Sequence, residues 1–291
     1  ARGLKGARRP CMGIIVNDAA DPRSPSPLHI PSPMAARAPF VLAVLAASAV
    51  AAWAEVRQVD HFAGVHASDG IEVHVNVSVD GSSSLVLDST AEASSEVRSR
   101  VDRWGTLILT RAAGAGSSHV VVQATVPGPL TYAGATSEGS VLAGAVAGPM
   151  VASSHSRIVA ESLESARDVS VTASDFSSIT LSGGHVPGFS VSCSSTSSIS
   201  LGELRADKAS ISVSSRSSIS GMTVGTATAT ASDVSSLTFT VTGHVGLSCS
   251  SSEVRIGGSG SVTTWSDWAC KVEVPSAKAA ASALATAPVF P

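Results

Sequence analysis

Residues 171–179 of this chain read VTASDFSSI, and four related phrases follow before residue 255. These phrases are VSCSSTSSI at 191–199, ISVSSRSSI at 211–219, ATASDVSSL at 229–237 and LSCSSSEV at 247–254. Together with an earlier isoleucine, the apolar residues that close the phrases recur at intervals of 17 to 21 residues, and they are Ile158, Ile179, Ile199, Ile219, Leu237 and Val254. A nearly fixed period of this length indicates a solenoid or an array of repeats.

The pattern within one repeat indicates two short strands with a polar corner between them. Apolar residues alternate with polar ones on both sides of each serine-rich centre, as at Val171 and Ala173 before it and at Ile179 and Leu181 after it. About 20 residues are too few for a four-stranded propeller blade but suit one coil of a β-helix. Four variable stretches, SGGHVPG, GELRADK, GMTVGT and TVTGHVG, are interpreted as loops that lead to the next coil. The sequence therefore predicts an all-β fold, a parallel β-helix (β-solenoid) with coils of about 20 residues, and we expect right-handed winding.

Two columns of serine result if successive coils stack at about 4.8 Å. The first column contains Ser174, Ser194, Ser214, Ser232 and Ser250, and the second contains Ser177, Ser197, Ser217 and Ser235. The position between the columns holds Phe176, Thr196, Arg216 and Val234, a mixture that only solvent exposure tolerates easily. A small hydroxyl at a tight corner can bond the local backbone, so we interpret both serine columns as structural.

The chain ahead of the repeats also has the pattern of strands. Residues 71–79 alternate strictly between apolar and polar, which predicts a long half-buried strand. Short apolar runs at 85–87, 107–109 and 120–122 predict further strands, separated by the turn-like stretches DGSSS, DRWGT and GAGSS. No stretch of comparable quality has helical spacing, so no helix is predicted.

The first part of the chain has the features of a processing segment. Residues 34–54 contain one Arg, an apolar stretch and small residues at Ala52 and Ala54, which is the layout of a secretory signal peptide. We expect cleavage after Ala54 and a mature N-terminus at Glu55. Residues 1–33 are rich in Pro, Arg and Ser and are interpreted as an upstream extension or a disordered leader.

The expected domain organisation follows from these boundaries. The β-helix domain is residues 55–274, and residues 275–291 form a tail that we expect to be mobile because it lacks strand alternation. The mature chain has no stretch apolar enough for a membrane span. Secretion or attachment to the cell envelope is therefore the expected location.

Charge and modification signals narrow the expected partners. The formal net charge is −3 and no run of Lys or Arg occurs, so the sequence lacks the electrostatic footprint of a nucleic-acid-binding protein. In a eukaryotic host, Asn76 in Asn76-Val77-Ser78 is an N-glycosylation acceptor on the polar face of its strand. The expected partner is an unidentified surface ligand, either a glycan or a protein.

Catalytic constellations are absent from the sequence pattern. Asp175 and Asp233 share a column but are three coils apart, about 14 Å at the stacking distance, which exceeds the carboxylate separations used in glycoside hydrolysis. No Gly-x-Ser-x-Gly elbow occurs, and His61, His66 and His74 are interpreted as solvated rather than metal-binding. We therefore expect no enzyme activity, no metal site and no cofactor.

The cysteines test the stacking of the coils. Cys193 and Cys249 occupy the same inward column with two coils between them, so their Cα atoms are expected about 14 Å apart, whereas a disulfide needs less than about 7 Å. We predict that these two cysteines do not pair and that both act as small buried apolar residues. Cys270 can reach Cys249 only if the segment WSDWAC folds back as the final coil.

The order of several loose motifs resembles a known family. FAGVHASDGIEVHV, SEVRSRVDRWGTLIL and HVVVQATVPGPLTYAGATSEGSV precede the serine-punctuated repeats, an order that is similar to the head GIN domain, also called the putative auto-transporter adhesin domain. The resemblance covers residues 56–274, although the Gly-Ala between the family's serines is replaced here by pairs such as Asp175-Phe176. It implies a parallel β-helix, an envelope or extracellular location and a role in adhesion or recognition, with no catalytic residues.

Four functions remain open at this point. Surface adhesion or recognition is favoured by the signal peptide and the resemblance, and a structural cell-wall or matrix component is the main alternative. An ice-binding role is ranked lower because the row Thr226, Thr228 and Thr230 occupies one coil only. A polysaccharide-acting enzyme is ranked lower because carboxylates do not converge.

Overall fold

The computed structural model describes residues 53–89, 91–114 and 120–274. The described residues are nearly all β, with 66% in strands, and they form a β-solenoid of about seven turns. The predicted all-β solenoid is therefore confirmed. Within the described residues there are twenty strands and one helix.

The elements before the regular coils are short. They are β1 (Trp53–Arg57), β2 (Gly64–Ala67), β3 (Ile71–Val77), β4 (Ser84–Ser89), α1 (Ala91–Glu96), β5 (Val97–Val101), β6 (Thr106–Arg111) and β7 (Val120–Val126). The next five strands are β8 (Tyr132–Ala135), β9 (Ser140–Val146), β10 (Met150–Ala152), β11 (Arg157–Glu164) and β12 (Val169–Ala173). The remaining strands are β13 (Ser178–Cys193), β14 (Ser198–Ser200), β15 (Glu203–Val213), β16 (Ser218–Ala231), β17 (Ser236–Ser250), β18 (Glu253–Gly258), β19 (Ser261–Trp268) and β20 (Lys271–Glu273).

The solenoid has two main faces that meet at the serine-rich corner. Face 1 runs in the order β6, β2, β8, β10 and β12, then through the C-terminal halves of β13, β15, β16 and β17 to β19. Face 2 runs from β7 through β3, β9 and β11 to the N-terminal half of β13, and then through β14, β16, β17 and β18 to β20. All of these pairings are parallel, as expected when each coil bonds to its neighbours.

The register of the coils is the one that the repeats predict. Ile179 pairs with Ile199, which pairs with Ile219, and this column continues through Leu237 to Val254. The matching inward column of face 1 is buried from β6 to β17, and it contains Leu107, Val65, Ala133, Met150, Val171, Val191, Ile211, Ala229 and Leu247. In β19 the same position holds the exposed Thr264. The core is therefore a stack of matched apolar columns, and its stability comes mostly from burial of small and medium side chains.

The corner between the faces uses an unusual backbone. Its two central residues both have positive φ, as at Asp175 (55°) and Phe176 (63°) and at Ser215 (58°) and Arg216 (60°). The left-handed region costs non-glycine residues about 1–2 kcal/mol each. In this conformation the amide of the second central residue still bonds the neighbouring coil. Phe176 N donates to Ser195 O at 3.1 Å, and Arg216 N donates to Asp233 O at 3.0 Å.

The four variable stretches are strand rather than loop, which corrects the sequence interpretation. β13 continues through SGGHVPG, β15 contains all of GELRADK except its first glycine, and β16 and β17 include GMTVGT and TVTGHVG. Parallel pairing persists round this bend, for example from His185 to Arg205 and from Arg205 to Thr223. The Gly and Pro residues that suggested loops lie at bends of a strand. The strand continues through each bend because its backbone stays hydrogen-bonded to the neighbouring coils.

The N-terminal end departs from the parallel arrangement, and the sequence did not predict this. β1 and β4 are antiparallel, as are β4 and β7 and β5 and β6. The short helix α1 is the one helix of the described residues, and its Ala93 and Ser94 are buried. Six residues are too few for a readable helical period, which is why α1 escaped prediction.

The C-terminal end contains the disulfide. β19 pairs with β17 and β20 pairs with β18, so the WSDWAC segment does fold back as a coil. Cys249 and Cys270 form a disulfide with Cα atoms 6.1 Å apart, and Cys193 is free and buried. The prediction that Cys193 and Cys249 do not pair is confirmed. The prediction that Cys249 acts as a simple apolar residue is wrong, since the final coil brings Cys270 against it.

Several sequence expectations fall outside the described residues. The leader at 1–33, nearly all of the signal peptide at 34–54 and the tail at 275–291 are among them. Trp53 and Ala54 are described and belong to β1, whose Ala54 pairs with Asp88. Among the described residues, no helix is long and apolar enough to cross a membrane.

The cysteines give a direct test of the coil order. Peptide mapping without reduction is expected to recover a Cys249–Cys270 bridge and an unbridged Cys193. Burial raises the pKa of the Cys193 thiol to about 11, so alkylation of the native protein at pH 8 is expected to leave it unmodified. Denaturant should expose it. A bridge from Cys193 to Cys249 or to Cys270 would contradict the stacking.

Candidate ligand-binding site

The serines singled out in the sequence lie in two columns at the corner between the faces. Those of the outer column, Ser174, Ser194, Ser214, Ser232 and Ser250, are partly exposed. Those of the inner column, Ser177, Ser197, Ser217 and Ser235, are only 2–3% exposed. Ser156 and Ser252, which were not singled out, extend the buried column by one coil at each end.

The buried serines bond the backbone of the neighbouring coil. Ser197 Oγ accepts the amide hydrogen of Ser177 at 3.2 Å, and Ser217 Oγ accepts that of Ser197 at 3.1 Å. Two of these hydroxyls also donate to a carbonyl of another coil: Ser156 Oγ donates to Ala135 O at 2.7 Å, and Ser235 Oγ donates to Val213 O at 3.2 Å. These hydroxyls are buried and already hydrogen-bonded inside the corner, so the inner column offers no surface to a ligand.

Asn76 lies near the end of β3 with an exposed side chain, opposite Thr125 of β7. The Ser78 hydroxyl of the same acceptor motif sits in a turn, where it accepts the amide hydrogen of Ser82 at 3.2 Å. N-glycosylation at Asn76 stays a prediction, and the exposure of the side chain is compatible with it.

The three histidines that are close in sequence each have a different hydrogen-bond partner. His61 contacts Ser83, His74 contacts Glu72 of the same strand, and His66 lies on the outer side of face 1. No group of three metal-ligating side chains occurs within residues 53–89, 91–114 and 120–274. His66 is half-buried and lines a cavity, so the interpretation of this histidine as solvated is wrong.

A pocket lies on the outer side of face 1 near the N-terminal end, and we call it the outer pocket. Its volume is about 420 Å³, and its lining residues are His66, Asp102, Trp104, Thr106, Ile108, Thr131 and Tyr132. They come from β6, β2 and β8, which are adjacent in face 1, and from the ends of the loops that lead into β6 and β8. An aromatic and aliphatic wall with a few polar groups is the usual composition of a small-ligand site.

Two outward-facing glycines shape the outer pocket. Gly64 pairs with both Thr106 and Tyr132, and a Cβ at Gly64 would lie 3.2 Å from Thr106 Oγ1 and 3.1 Å from Tyr132 Cβ. A Cβ at Gly134 would lie 2.5 Å from His66 Nδ1 and 2.6 Å from the Tyr132 hydroxyl. The absence of these two side chains lets the His66 and Tyr132 rings lie against the sheet.

The two rings are held in a defined arrangement. The His66 and Tyr132 rings are nearly parallel, with centroids 6.4 Å apart and an interplanar angle of 7°. His66 Nε2 bonds Thr136 Oγ1 at 3.2 Å. Burial lowers the pKa of His66 and outweighs the opposite effect of Asp69, so His66 is neutral at pH 7. Burial, with a smaller effect of Asp102, raises the pKa of Tyr132, which keeps its hydroxyl as a donor.

The hairpin turn between β5 and β6 carries the rest of the site. Asp102 Oδ1 accepts the amide hydrogens of Trp104 and Thr106, both at 2.9 Å, and Gly105 has φ 75°. These bonds fix the turn, and Trp104 is left 72% exposed at its tip. The Arg103 guanidinium lies 4.0 Å from the Trp104 ring centroid. The exposed tryptophan thus stands on a turn that is hydrogen-bonded rather than loose.

A larger groove of about 890 Å³ lies at the C-terminal end, where successive coils become shorter. The pairing of β16 with β17 slips between Ser220 and Thr223, which is part of this shortening. Arg255 bonds Glu253 at 2.8 Å and Glu273 at 3.0 Å, and Lys271 bonds Glu273 at 2.7 Å. Arg255 and Glu273 of the groove lining are therefore paired with each other, and the lining also contains Glu203 and Arg205.

Sequence reasoning did not find the outer pocket. DRWGT was interpreted as a turn only, and Tyr132 was noticed only as part of a family motif. An exposed Trp in a turn and the single Tyr of the chain were the available signals. Their convergence depends on the pairing of β6 with β2 and of β2 with β8, which connects residues about 40 and 70 positions apart.

The fold and the sequence together define the class of protein. Residues 61–244 match the family described as "Putative auto-transporter adhesin, head GIN domain". The match covers more than half of the chain and includes every residue of the outer pocket. The chain belongs to this family, as the resemblance in its sequence implied. No curated protein matches the sequence.

Solved structures of bacterial proteins share the fold at low sequence identity. A putative adhesin from Parabacteroides merdae is 12% identical, with a TM-score of 0.64 over 76% of this chain and 95% of its own. A putative adhesin from Bacteroides fragilis is 12% identical, with a TM-score of 0.59 over 76% and 96%. A putative lipid binding protein from Parabacteroides distasonis is 13% identical, with a TM-score of 0.57 over 76% and 96%. These similarities show a shared solenoid fold.

The buried serine column leads to a stability prediction. Ser197→Ala removes the acceptor of the buried Ser177 amide, and an unsatisfied buried donor costs about 1–3 kcal/mol. The denaturant concentration at the unfolding midpoint is expected to fall because the free energy of unfolding decreases by this amount. Ser198→Ala, at the adjacent exposed position, is the matched control and should change the free energy of unfolding by less than about 0.5 kcal/mol. Equal effects of the two variants would contradict a structural role for the buried hydroxyl.

The environment of His66 leads to a pH prediction. A ring-proton NMR titration is expected to place the His66 midpoint below its usual 6.5, because burial lowers its pKa. The unfolded chain then binds the proton at higher pH than the folded one, so this residue decreases the free energy of unfolding as pH falls through about 6.5. His66→Gln should reduce that loss. A midpoint at or above 6.5 would contradict the packing described for the ring.

Proposed function

We propose that this chain is an exported, non-enzymatic β-solenoid that acts in cell-surface adhesion or recognition, with the outer pocket as its ligand site. The carrying observation is the preformed pocket on the outer side of face 1, whose walls combine Trp104, Tyr132 and Ile108 with polar groups. Binding groups placed on a sheet and on a hydrogen-bonded turn need little ordering when a ligand arrives, which favours affinity. Membership of an adhesin family supports the same role.

Export is supported by two independent features. The secretory layout of residues 34–54 is one of them. The other is the disulfide between Cys249 and Cys270, because disulfides persist in oxidising compartments such as the extracellular space and are rare in the cytosol.

A binding role is favoured over catalysis by the chemistry of the outer pocket. Asp102 is the one carboxylate among its lining residues, and its Oδ1 is engaged with two backbone amides. Glycoside hydrolysis ordinarily uses two carboxylates that flank the bond. Asp175 and Asp233 lie on the corner three coils apart, in line with the spacing that the sequence predicted.

The remaining alternatives receive less support. The threonine row of β16 lies between Lys208, Ser210 and Ser212 of β15 on one side and His244, Gly246 and Ser248 of β17 on the other. A regular array of threonines, which an ice-binding face would use, is therefore missing from the neighbouring coils. A passive structural role has no specific observation in its favour.

A binding assay with the purified full chain tests the proposal. The labelled chain is added to intact cells and to isolated cell-envelope material, and unlabelled chain serves as competitor. We expect saturable binding that the competitor abolishes, and a heat-unfolded sample as control should bind without saturation. Absence of saturable binding to either material would contradict recognition and favour a passive structural role.

A further inference from the structure

The ligand class of the outer pocket can be inferred from the chemistry of its walls. Trp104, Tyr132 and Ile108 give the pocket apolar surface, and aromatic side chains with polar tips are suited to ligands that have both an apolar face and polar edges. A saccharide ring has this character, because its axial C–H groups form apolar patches and its hydroxyls form a polar rim. The composition of the pocket fits such a ring better than a purely apolar chain.

The polar groups of the pocket match hydroxyls. Asp102 keeps a second carboxylate oxygen beyond the Oδ1 that fixes the turn, and a carboxylate accepts hydrogen bonds strongly. The hydroxyls of Thr106 and Tyr132 can both donate and accept. The pocket thus offers one carboxylate acceptor and two hydroxyls beside an apolar wall. This set suits a ligand whose own hydroxyls both donate and accept hydrogen bonds.

The charges near the pocket argue for a neutral ligand. The Asp102 carboxylate repels an anion such as a carboxylated or sulfated sugar. The Arg103 guanidinium lies 4.0 Å from the Trp104 ring centroid, so its positive charge would repel a second cation near this ring. His66 adds no charge in the neutral form that its burial favours.

We propose that the outer pocket binds a neutral saccharide unit of a surface glycan, stacked on Trp104 or Tyr132 and hydrogen-bonded by Asp102. This inference rests on the proposed recognition function and adds the ligand class. A volume of about 420 Å³ is at the small end of the range for ligand pockets, so the site takes a terminal or branching unit rather than a long chain.

Titration of the full chain with four neutral methyl glycosides, those of glucose, galactose, mannose and N-acetylglucosamine, tests the inference by NMR chemical-shift changes. At least one glycoside is expected to bind and to shift the His66 and Tyr132 ring signals. Trp104→Ala should weaken that binding about tenfold or more, in the range of an aromatic hot spot. Asp102→Asn, which keeps an oxygen acceptor for the turn amides, should weaken it about fivefold or more.

Phe176→Ala is the matched control, because Phe176 is also an exposed aromatic, 60% exposed, but lies on the corner outside the pocket. It should change glycoside binding by less than twofold. Circular dichroism spectra of all variants should coincide with that of the unchanged chain, which separates loss of the site from loss of the fold.

Three outcomes would overturn the inference. One is that none of the four glycosides binds although the chain binds cells saturably, which leaves the recognition function in place and removes the saccharide assignment. Another is that Trp104→Ala and Phe176→Ala weaken glycoside binding equally, which would remove the outer pocket as the site. The third is that choline binds in the pocket more tightly than every glycoside, which would make the ligand a cation.

Discussion

The parallel hydrogen-bond ladder between coils is the constraint on which the rest of the structure depends. Every coil must present its amides and carbonyls to its neighbours at nearly all positions, the corners included, because an unpaired buried backbone group costs as much as a lost hydrogen bond. This requirement explains the repeat length, since Ile179, Ile199 and Ile219 can pair in register only if each coil has almost the same number of residues. It also explains why the variable stretches of the repeats are strand.

The serine-rich phrase allows the backbone to stay hydrogen-bonded at the corner as well. Two residues in the left-handed region turn the chain sharply, and the ladder continues through them, as from Thr196 N to Ser215 O at 2.9 Å. The amide that follows the turn points inward, where no carbonyl of the next coil reaches it, and a serine hydroxyl of that coil accepts its hydrogen instead. Serine is small enough to remain buried there and polar enough to bond, so the corner can hold residues as different as Phe176 and Arg216 at its exposed position.

The sequence predicted the repeated coils and the strands β3, β4, β6 and β7 ahead of them, and it missed how the N-terminal end is arranged. The period of the closing apolar residues was sufficient for the coil, the inward columns and the separation of Cys193 from Cys249. The N-terminal antiparallel strands and α1 have no period to detect. The outer pocket was invisible for a related reason: His66, Asp102 and Tyr132 meet only through strand register, and no local pattern encodes a contact between strands so distant along the chain.

The position of the outer pocket follows from this division between repeated and irregular coils. On the outer side of face 1 the repeats present small hydroxyl side chains, such as Ser190, Ser210 and Thr228. A cavity of about 440 Å³ is lined partly by Ser190 and Ser210, but its lining contains no Trp, Tyr or His. In the coils nearer the N-terminal end, glycines and aromatic rings stand in place of these hydroxyl residues, and the difference in side-chain size forms a cavity on the same face. The proposed recognition site thus lies where the repeat is broken, and the regular coils adjoin it on the same face.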